Sequence, residues 1–276
     1  MIHWNVDPEI FHIGIISIRY YSLLFMLSFI VGIYIFQWVY KRENKPKEAL
    51  DPLLIYMLLG TVIGARLGHC LFYDASYYLS HPIKIFKVWE GGLASHGAAI
   101  GILLSLYLFS RKHPEQPFLW LVDRIVITVA LAGSFIRLGN LFNSEIIGKP
   151  ADVPWSFVFE RVDNIPRHPT QIYESVAYFI IFVILFRIYK KYGSATPRGY
   201  LLGLFLVLVF GFRFFVEFLK ENQVAFESGM ALNMGQILSI PAVIGGMILI
   251  YYSLKSKNIE NNNPENESKN KPKKKS

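Results

Sequence analysis

Long apolar runs separated by short polar connections fill most of the chain, and this pattern predicts helices that cross a membrane. Seven runs approach the roughly 20 mostly apolar residues that a bilayer requires: 16–40, 50–73, 93–110, 122–138, 172–189, 200–219 and 236–254. The fourth is the weakest, because Asp123 and Arg124 open it and Arg137 closes it. Gly203 and Gly211 in the sixth, and Pro241, Gly245 and Gly246 in the seventh, suit membrane helices, where small side chains permit close packing. The expected fold is an all-α polytopic membrane protein of seven transmembrane helices spanning 1–257. A Lys/Asn-rich tail at 258–276 is expected to be disordered. The longest connection, about 139–171, carries Pro150, Pro154, Trp155, Pro166 and Pro169, and loops of that length are often functional.

Composition agrees. The 276 residues are 53% hydrophobic and 16% aromatic, with only 17% charged. A disordered chain would be poor in aromatics, and a soluble domain carries about 25% charged residues. A single cysteine, Cys70, allows neither an internal disulfide nor a cysteine-rich metal site. The net charge of +8 is not a nucleic-acid signal, because seven lysines sit in the last 24 residues as a solvated anchor. Asp7 and Glu9 stand where a cleaved leader would carry positive charge, so no removed signal peptide is expected.

Basic residues orient the bundle. One set of connections holds 17, from Lys41 and Arg42 to the tail lysines; the other holds six: Lys84, Lys87, Lys149, Arg161, Arg167 and Lys220. Cytoplasmic loops carry the excess, so the N-terminus is expected outside and the C-terminus inside. With that orientation Arg19, Arg66, His96, Arg137, Glu174, Arg213 and Glu217 fall in one outer layer, although six runs supply them. An ionisable group within a span costs at least about 2.5–3.5 kcal/mol and normally faces a polar cavity. Each also has a plainer reading. Arg213 and Glu217, four apart, can neutralise each other; Arg19 can snorkel; Arg66 can bond helix carbonyls; His96 can be a packed residue; Arg124 can be a topology residue. Taken together, three or more arginines need an anionic partner lying in the membrane, which is a phospholipid phosphate, bound through paired charge-assisted hydrogen bonds. A histidine beside it, with an unperturbed pKa near 6.5, can take a proton from a nucleophile. An anion or lipid transporter and an intramembrane hydrolase using Ser95 and His96 are the competing readings. The nearly charge-free inner halves of the runs, and the lack of an elbow motif or paired aspartates, count against them.

Several motifs then point one way. WEGGLASHGAAIG at 89–101 resembles the histidine-glycine segment of the bacterial prolipoprotein diacylglyceryl transferase family, and GSFIRLGNLFNSEIIG at 133–148 resembles its signature. RHPTQIYE at 167–174, RFFVEF at 213–218, MGQILSIP at 234–241 and Tyr21 also fit, over about residues 10–254. Ala98, Val209 and the pair Leu141-Phe142 depart from the family pattern. The resemblance implies transfer of the diacylglyceryl group of phosphatidylglycerol to the lipobox cysteine of preprolipoprotein signal peptides. A thioether forms and glycerol phosphate leaves, at the outer leaflet of the bacterial cytoplasmic (inner) membrane, with no cofactor, metal or nucleic acid. It further implies that His96, Arg137 and Arg213 are essential, and that Tyr21, Gly91, Gly97, Asn140, Glu145, Gly148 and Glu217 support or line the lipid site. Arg66, from the charged layer, is added as a candidate lipid contact.

Overall fold

In lipid, backbone donors and acceptors must be satisfied within the segment, and helices do this. The computed structural model describes residues 1–14, 16–222 and 229–261. Six helical segments are long and apolar enough to cross a membrane: Tyr20–Arg42, Lys47–Phe72, Phe118–Phe142, Thr170–Ala195, Tyr200–Leu219 and Met234–Ser256. Large apolar side chains are exposed along them, including Leu23, Met26 and Ile30 on the first and Ile244, Met247 and Ile248 on the last. A water-soluble domain does not leave such a surface uncovered; this is a multi-pass membrane protein.

The third expected span is a helix, but a shorter one than the rest. Its 18 residues begin with Ser95 and His96 and end with Arg111 and Lys112, so polar ends consume part of its length. The first run also starts later as a helix than as an apolar stretch. Ile16–Arg19 form a strand paired antiparallel with Glu9–Ile13, and the helix begins at Tyr20. The all-α expectation therefore describes the spans, with five short strands added among the described residues.

The chain divides into two compact units, 35–124 and the remainder, with the boundaries inside the first span and the Phe118–Phe142 helix. In the 35–124 unit, α2 (Leu50–Phe72) and α4 (Ser95–Lys112) lie glycine against glycine. A Cβ on Gly68 would stand 2.6 Å from the Cα of Gly97, and one on Gly101 would stand 2.8 Å from the Cα of Gly64. Only glycine lets the backbones approach so closely, the usual way membrane helices gain dispersion contact. Between them lie α3 (Ala75–Ser80) and two 3-10 turns, Pro82–Phe86 and Val88–Glu90. Arg124 is buried here rather than marking a topology boundary: its Nε and Nη2 donate to Glu43 Oε1 at 3.1 and 3.0 Å. Trp120 Nε1 donates to Glu43 Oε2 at 2.7 Å. Paired this way, the polar start of the fourth run is tolerated inside a helix.

The other unit contains α1 (Tyr20–Arg42) up to Tyr34, most of α5 (Phe118–Phe142), and α6 (Thr170–Tyr192), α7 (Tyr200–Val216) and α8 (Met234–Asn261). α7 and α8 pack through Gly203 and Gly246, each placed so that a Cβ would meet the other's carbonyl oxygen at 2.8 Å. Asn233 opens α8 with a reciprocal cap: Gln236 N donates to Asn233 Oδ1 at 2.9 Å, and Asn233 N to Gln236 Oε1 at 3.0 Å. The tail beyond residue 261 lies outside the described residues.

The long connection after α5 is an ordered cap. β1 (Ile2–Trp4) pairs parallel with β4 (Phe157–Phe159), and β4 pairs antiparallel with β5 (Pro166–Arg167). Leu141, Phe157 and Phe159 form its core, flanked by Trp4, Ile147 and Ile172. Arg167 fastens it, donating to Asp163 Oδ2 at 2.6 Å, Glu221 Oε1 at 2.7 Å and the Gly148 carbonyl at 3.2 Å. The guanidinium holds the Asp163 carboxyl below the usual aspartate range, and the same hydrogen bond raises Arg167.

Candidate functional site

Polar side chains from three helices and the start of a fourth meet beneath the cap in one continuous network. Arg137, in the last turns of α5, has its Nε 3.1 Å from Glu174 Oε2 on α6. Arg213, near the end of α7, has its Nε 3.3 Å from Glu217 Oε1, one helical turn later. The link between the two pairs is Lys220, whose Nζ donates to Glu174 Oε1 at 2.9 Å and to Glu217 Oε1 at 3.0 Å. Tyr178 OH donates to Glu174 Oε1 at 3.1 Å, and Asn233 Nδ2 at the mouth of α8 donates to Glu217 Oε2 at 3.1 Å. Gly235 makes room for that carboxylate, since a Cβ there would lie 2.6 Å from Glu217 Cδ.

A second arm of the network runs through the signature loop. Arg137 Nη1 donates to Asn140 Oδ1 at 3.3 Å, and Asn140 Nδ2 to Glu145 Oε1 at 2.6 Å, where Asn143 Nδ2 also donates at 3.1 Å. Glu145 thus reaches Arg137 through Asn140, while Glu174 is the direct partner. The loop that aims Glu145 is strained: Ser144 and Ile146, on either side, have φ of +53° and +57°, and a β-branched residue rarely adopts such a conformation. Gln171 Nε2 on the Glu145 carbonyl (2.8 Å) and Thr170 Oγ1 on the Ile146 carbonyl (3.1 Å) hold it there. Tyr21 packs its ring against Gly139 of α5, a Cβ on which would fall 2.6 Å from Tyr21 Cδ2. Gly148 serves the backbone: its N–H donates to the His168 carbonyl at 3.2 Å and it bridges to Lys220, with no room for a Cβ.

The charge count of the enclosed part of this network is uneven. Glu174 and Lys220 are 0% and 1% exposed at the side chain, Glu217 6%, Arg137 14% and Arg213 35%. Among the described residues, three cations thus share two carboxylates, since Glu145 lies at the exposed end. Among the described residues, Arg213 Nε and Glu174 Oε2 make no hydrogen bond, so both contacts are ion pairs by distance. A net positive, partly enclosed site with two guanidinium groups can hold an anion carrying several oxygens, above all a phosphate. Beside Glu217 lies a polar cavity of about 250 Å³ lined by Lys149, Asn222, Asn233 and Gln236.

Four of the remaining expected residues, Arg66, Gly91, His96 and Gly97, lie in the 35–124 unit. His96 is exposed in the first turn of α4, edge-on to Phe72 at 5.4 Å and tilted over Tyr73 at 5.8 Å. Among the described residues its ring nitrogens make no hydrogen bond. Gly97 beside it is committed to the close packing of α2 and α4, and Gly91 turns the chain at a φ of +88°. Arg66, 3% exposed, spends its donors on backbone: Nε on the Ile85 carbonyl (2.9 Å), Nη1 on Gly91 (2.5 Å) and Gly92 (3.3 Å), Nη2 on Lys84 (2.5 Å). Its guanidinium also lies 5.0 Å above the Tyr78 ring. Of its two readings, structural tie and lipid contact, this geometry favours the first. Arg19 is exposed at the end of β3 (Ile16–Arg19) and takes no part in the network.

From the sequence, Lys220 reads only as one of the six basic residues of the outer connections, and nothing there assigns it to the site. The residue follows the last apolar turn of α7, and only the spacing Arg213–Glu217–Lys220, all on one helical face, hinted otherwise.

Comparison with known proteins completes the picture. Residues 8–252 match the family described as prolipoprotein diacylglyceryl transferase. A protein of Tolumonas auensis named phosphatidylglycerol–prolipoprotein diacylglyceryl transferase is 51% identical over 257 residues, covering 93% of this chain and 99% of that relative. Proteins of the same name from Chloroherpeton thalassium and Bacteroides fragilis are 51% and 47% identical, each over 94% of this chain and 97% and 98% of their own lengths.

Proposed function

The chain belongs to the prolipoprotein diacylglyceryl transferase family, and from that premise we propose how its residues carry the reaction. The substrates are phosphatidylglycerol and the lipobox cysteine of a preprolipoprotein signal peptide. The thiol sulfur attacks the glycerol carbon bearing the phosphate, a carbon–sulfur bond forms, the carbon–oxygen bond breaks, and glycerol phosphate leaves with the electron pair. The observation that carries this reading is the enclosed network of three cations on two carboxylates among the described residues, with Arg137 and Arg213 as its more exposed cations.

Arg137 and Arg213 hold the headgroup phosphate and stabilise the charge that develops on the departing oxygen; preorganised donors of this kind are typically the largest catalytic term. Glu174 and Glu217 aim the two guanidiniums, while Asn140 and Glu145 fix the other side of Arg137 and offer hydrogen bonds to glycerol hydroxyls. Tyr21 and Gly148 shape the walls. His96, with both ring nitrogens open, serves as base for the thiol, whose reference pKa of about 8.5 leaves it mostly protonated at neutral pH. Gly91 and Gly97 place His96 at the head of α4. Arg66 acts through the backbone it ties.

We also propose that α4 is a seventh span. Ile100, Leu103, Leu104 and Leu108 are exposed along it as on its neighbours, and α2 runs against it along its length. The basic connections then put the N-terminus outside and the C-terminus in the cytoplasm, with the network toward the outer leaflet of the bacterial inner membrane.

The test is direct. The purified protein, incubated with phosphatidylglycerol labelled in its acyl chains and a lipobox peptide, is expected to move label onto the peptide in a hydroxylamine-stable thioether and to release glycerol phosphate. Label left in the lipid, or released as free fatty acid, would refute the assignment.

A further inference from the structure

We propose that Lys220 is a positioning residue of this transfer: a buried ammonium that holds the carboxylates of Glu174 and Glu217 between Arg137 and Arg213 and keeps the site net positive. The inference rests on the functional reading above and deepens it.

Burying a lysine is expensive unless its charge is compensated. A loop lysine free to choose would extend its long stem to water, yet this one is 1% exposed and turned inward onto two carboxylates. Burial pushes the Lys220 ammonium down, and Glu174 pulls against that. Its backbone is already anchored without the side chain, through the bridge to Gly148 and the Lys149 N–H on the Leu219 carbonyl at 2.8 Å. Fold maintenance therefore leaves the inward ammonium unexplained. The function that fits is electrostatic. Glu174 Oε1 and Glu217 Oε1 both lie within 3.0 Å of Nζ, so they repel one another if it is removed. Two carboxylates would then face two arginines in equal number, and each guanidinium would be quenched before any phosphate arrived. With Lys220 in place the carboxylates are shared, and one positive charge is left for the substrate.

The experiment measures kcat and KM for phosphatidylglycerol in detergent micelles, with the thermal midpoint of each variant. Lys220→Met is expected to raise KM at least about tenfold, the scale of losing hydrogen bonds to charged groups, and to lower kcat. Lys220→Arg should stay within a few-fold of the parent. Lys220→Gln keeps a donor for the carboxylates but drops the charge, and should raise KM at an unchanged midpoint; it carries the test if Lys220→Met does not fold. Adding Glu174→Gln to Lys220→Met restores the surplus charge and should recover KM in part, though not kcat. Parental kinetics in Lys220→Met or Lys220→Gln, with the parent active, overturn this inference alone. Losses that follow the thermal midpoint and are not relieved by Glu174→Gln also overturn it. An inactive parent overturns the functional reading and this inference with it.

Discussion

This protein holds arginines in two contrasting environments. Arg66 directs four N–H groups at carbonyl oxygens of residues 84–92 and stacks over Tyr78, with no carboxylate in reach of a salt bridge among the described residues. Arg137 and Arg213 meet carboxylates instead, but share those carboxylates with a third cation. The difference separates a scaffold from a receptor. Carbonyl dipoles can use up the donors of a guanidinium and tie a segment built of short 3-10 turns. Carboxylates fix the angle of a guanidinium while a rationed supply of them leaves charge for a ligand.

The largest effect expected from this contrast is on activity. Arg213→Ala and Arg137→Ala should each lower transfer by two to three orders of magnitude, the scale of losing one preorganised donor, while membrane insertion and the thermal midpoint stay close to the parent. Lysine at either position keeps the charge and loses the fork, so most of the activity should still be absent. His96→Gln should abolish transfer at unchanged phosphatidylglycerol binding; full activity in a lipid-modification gel shift would remove it as the base.

Next in size is the stability cost at Arg66. Arg66→Met strands the carbonyls of 84–92 and should lower the thermal midpoint by several degrees and speed proteolysis there, since each buried group left unpaired costs about 1–3 kcal/mol. A variant that melts like the parent but binds phosphatidylglycerol weakly would instead make Arg66 a lipid contact. The smallest effect is in the cap. Asp163 titrates below the ordinary aspartate value because Arg167 sits against it, so its contribution is present above that value and lost as pH falls through the lowered one. Hydrogen exchange at Phe157–Phe159 should accordingly accelerate below about pH 4. Asp163→Asn should show the looser cap already at neutral pH, by about 0.5–1 kcal/mol for a partly exposed pair.

Much of this was legible beforehand because hydropathy is local. Six apolar runs became helices long and apolar enough to cross a membrane, and Arg137, Glu174, Arg213 and Glu217 could be brought together by counting along them. Partnerships across the chain were not. Glu174 pairs with Arg137 and Lys220 from a distant stretch, and no periodicity in α6 announces it. Lys220 reads as a loop residue because it lies past the apolar run, and its burial rests on partners far along the chain, Glu174 and the bridge to Gly148. β1 escaped notice since three residues carry no pattern, and their partner strand lies far along the chain. α4 fell short of its neighbours because the polar residues that make its head chemically interesting also shorten it.

That N-terminal strand has a consequence for biogenesis. Trp4 Nε1 donates to the carbonyl of Leu141, 137 residues later, and β1 has no sheet to join until Phe157–Phe159 have been made and delivered to the same side of the bilayer. At roughly 5–20 residues per second of synthesis, the first residues wait about 7–30 seconds, exposed to proteases and chaperones, before they find shelter. Docking of β1 is thereby timed by synthesis of a stretch more than 130 residues downstream.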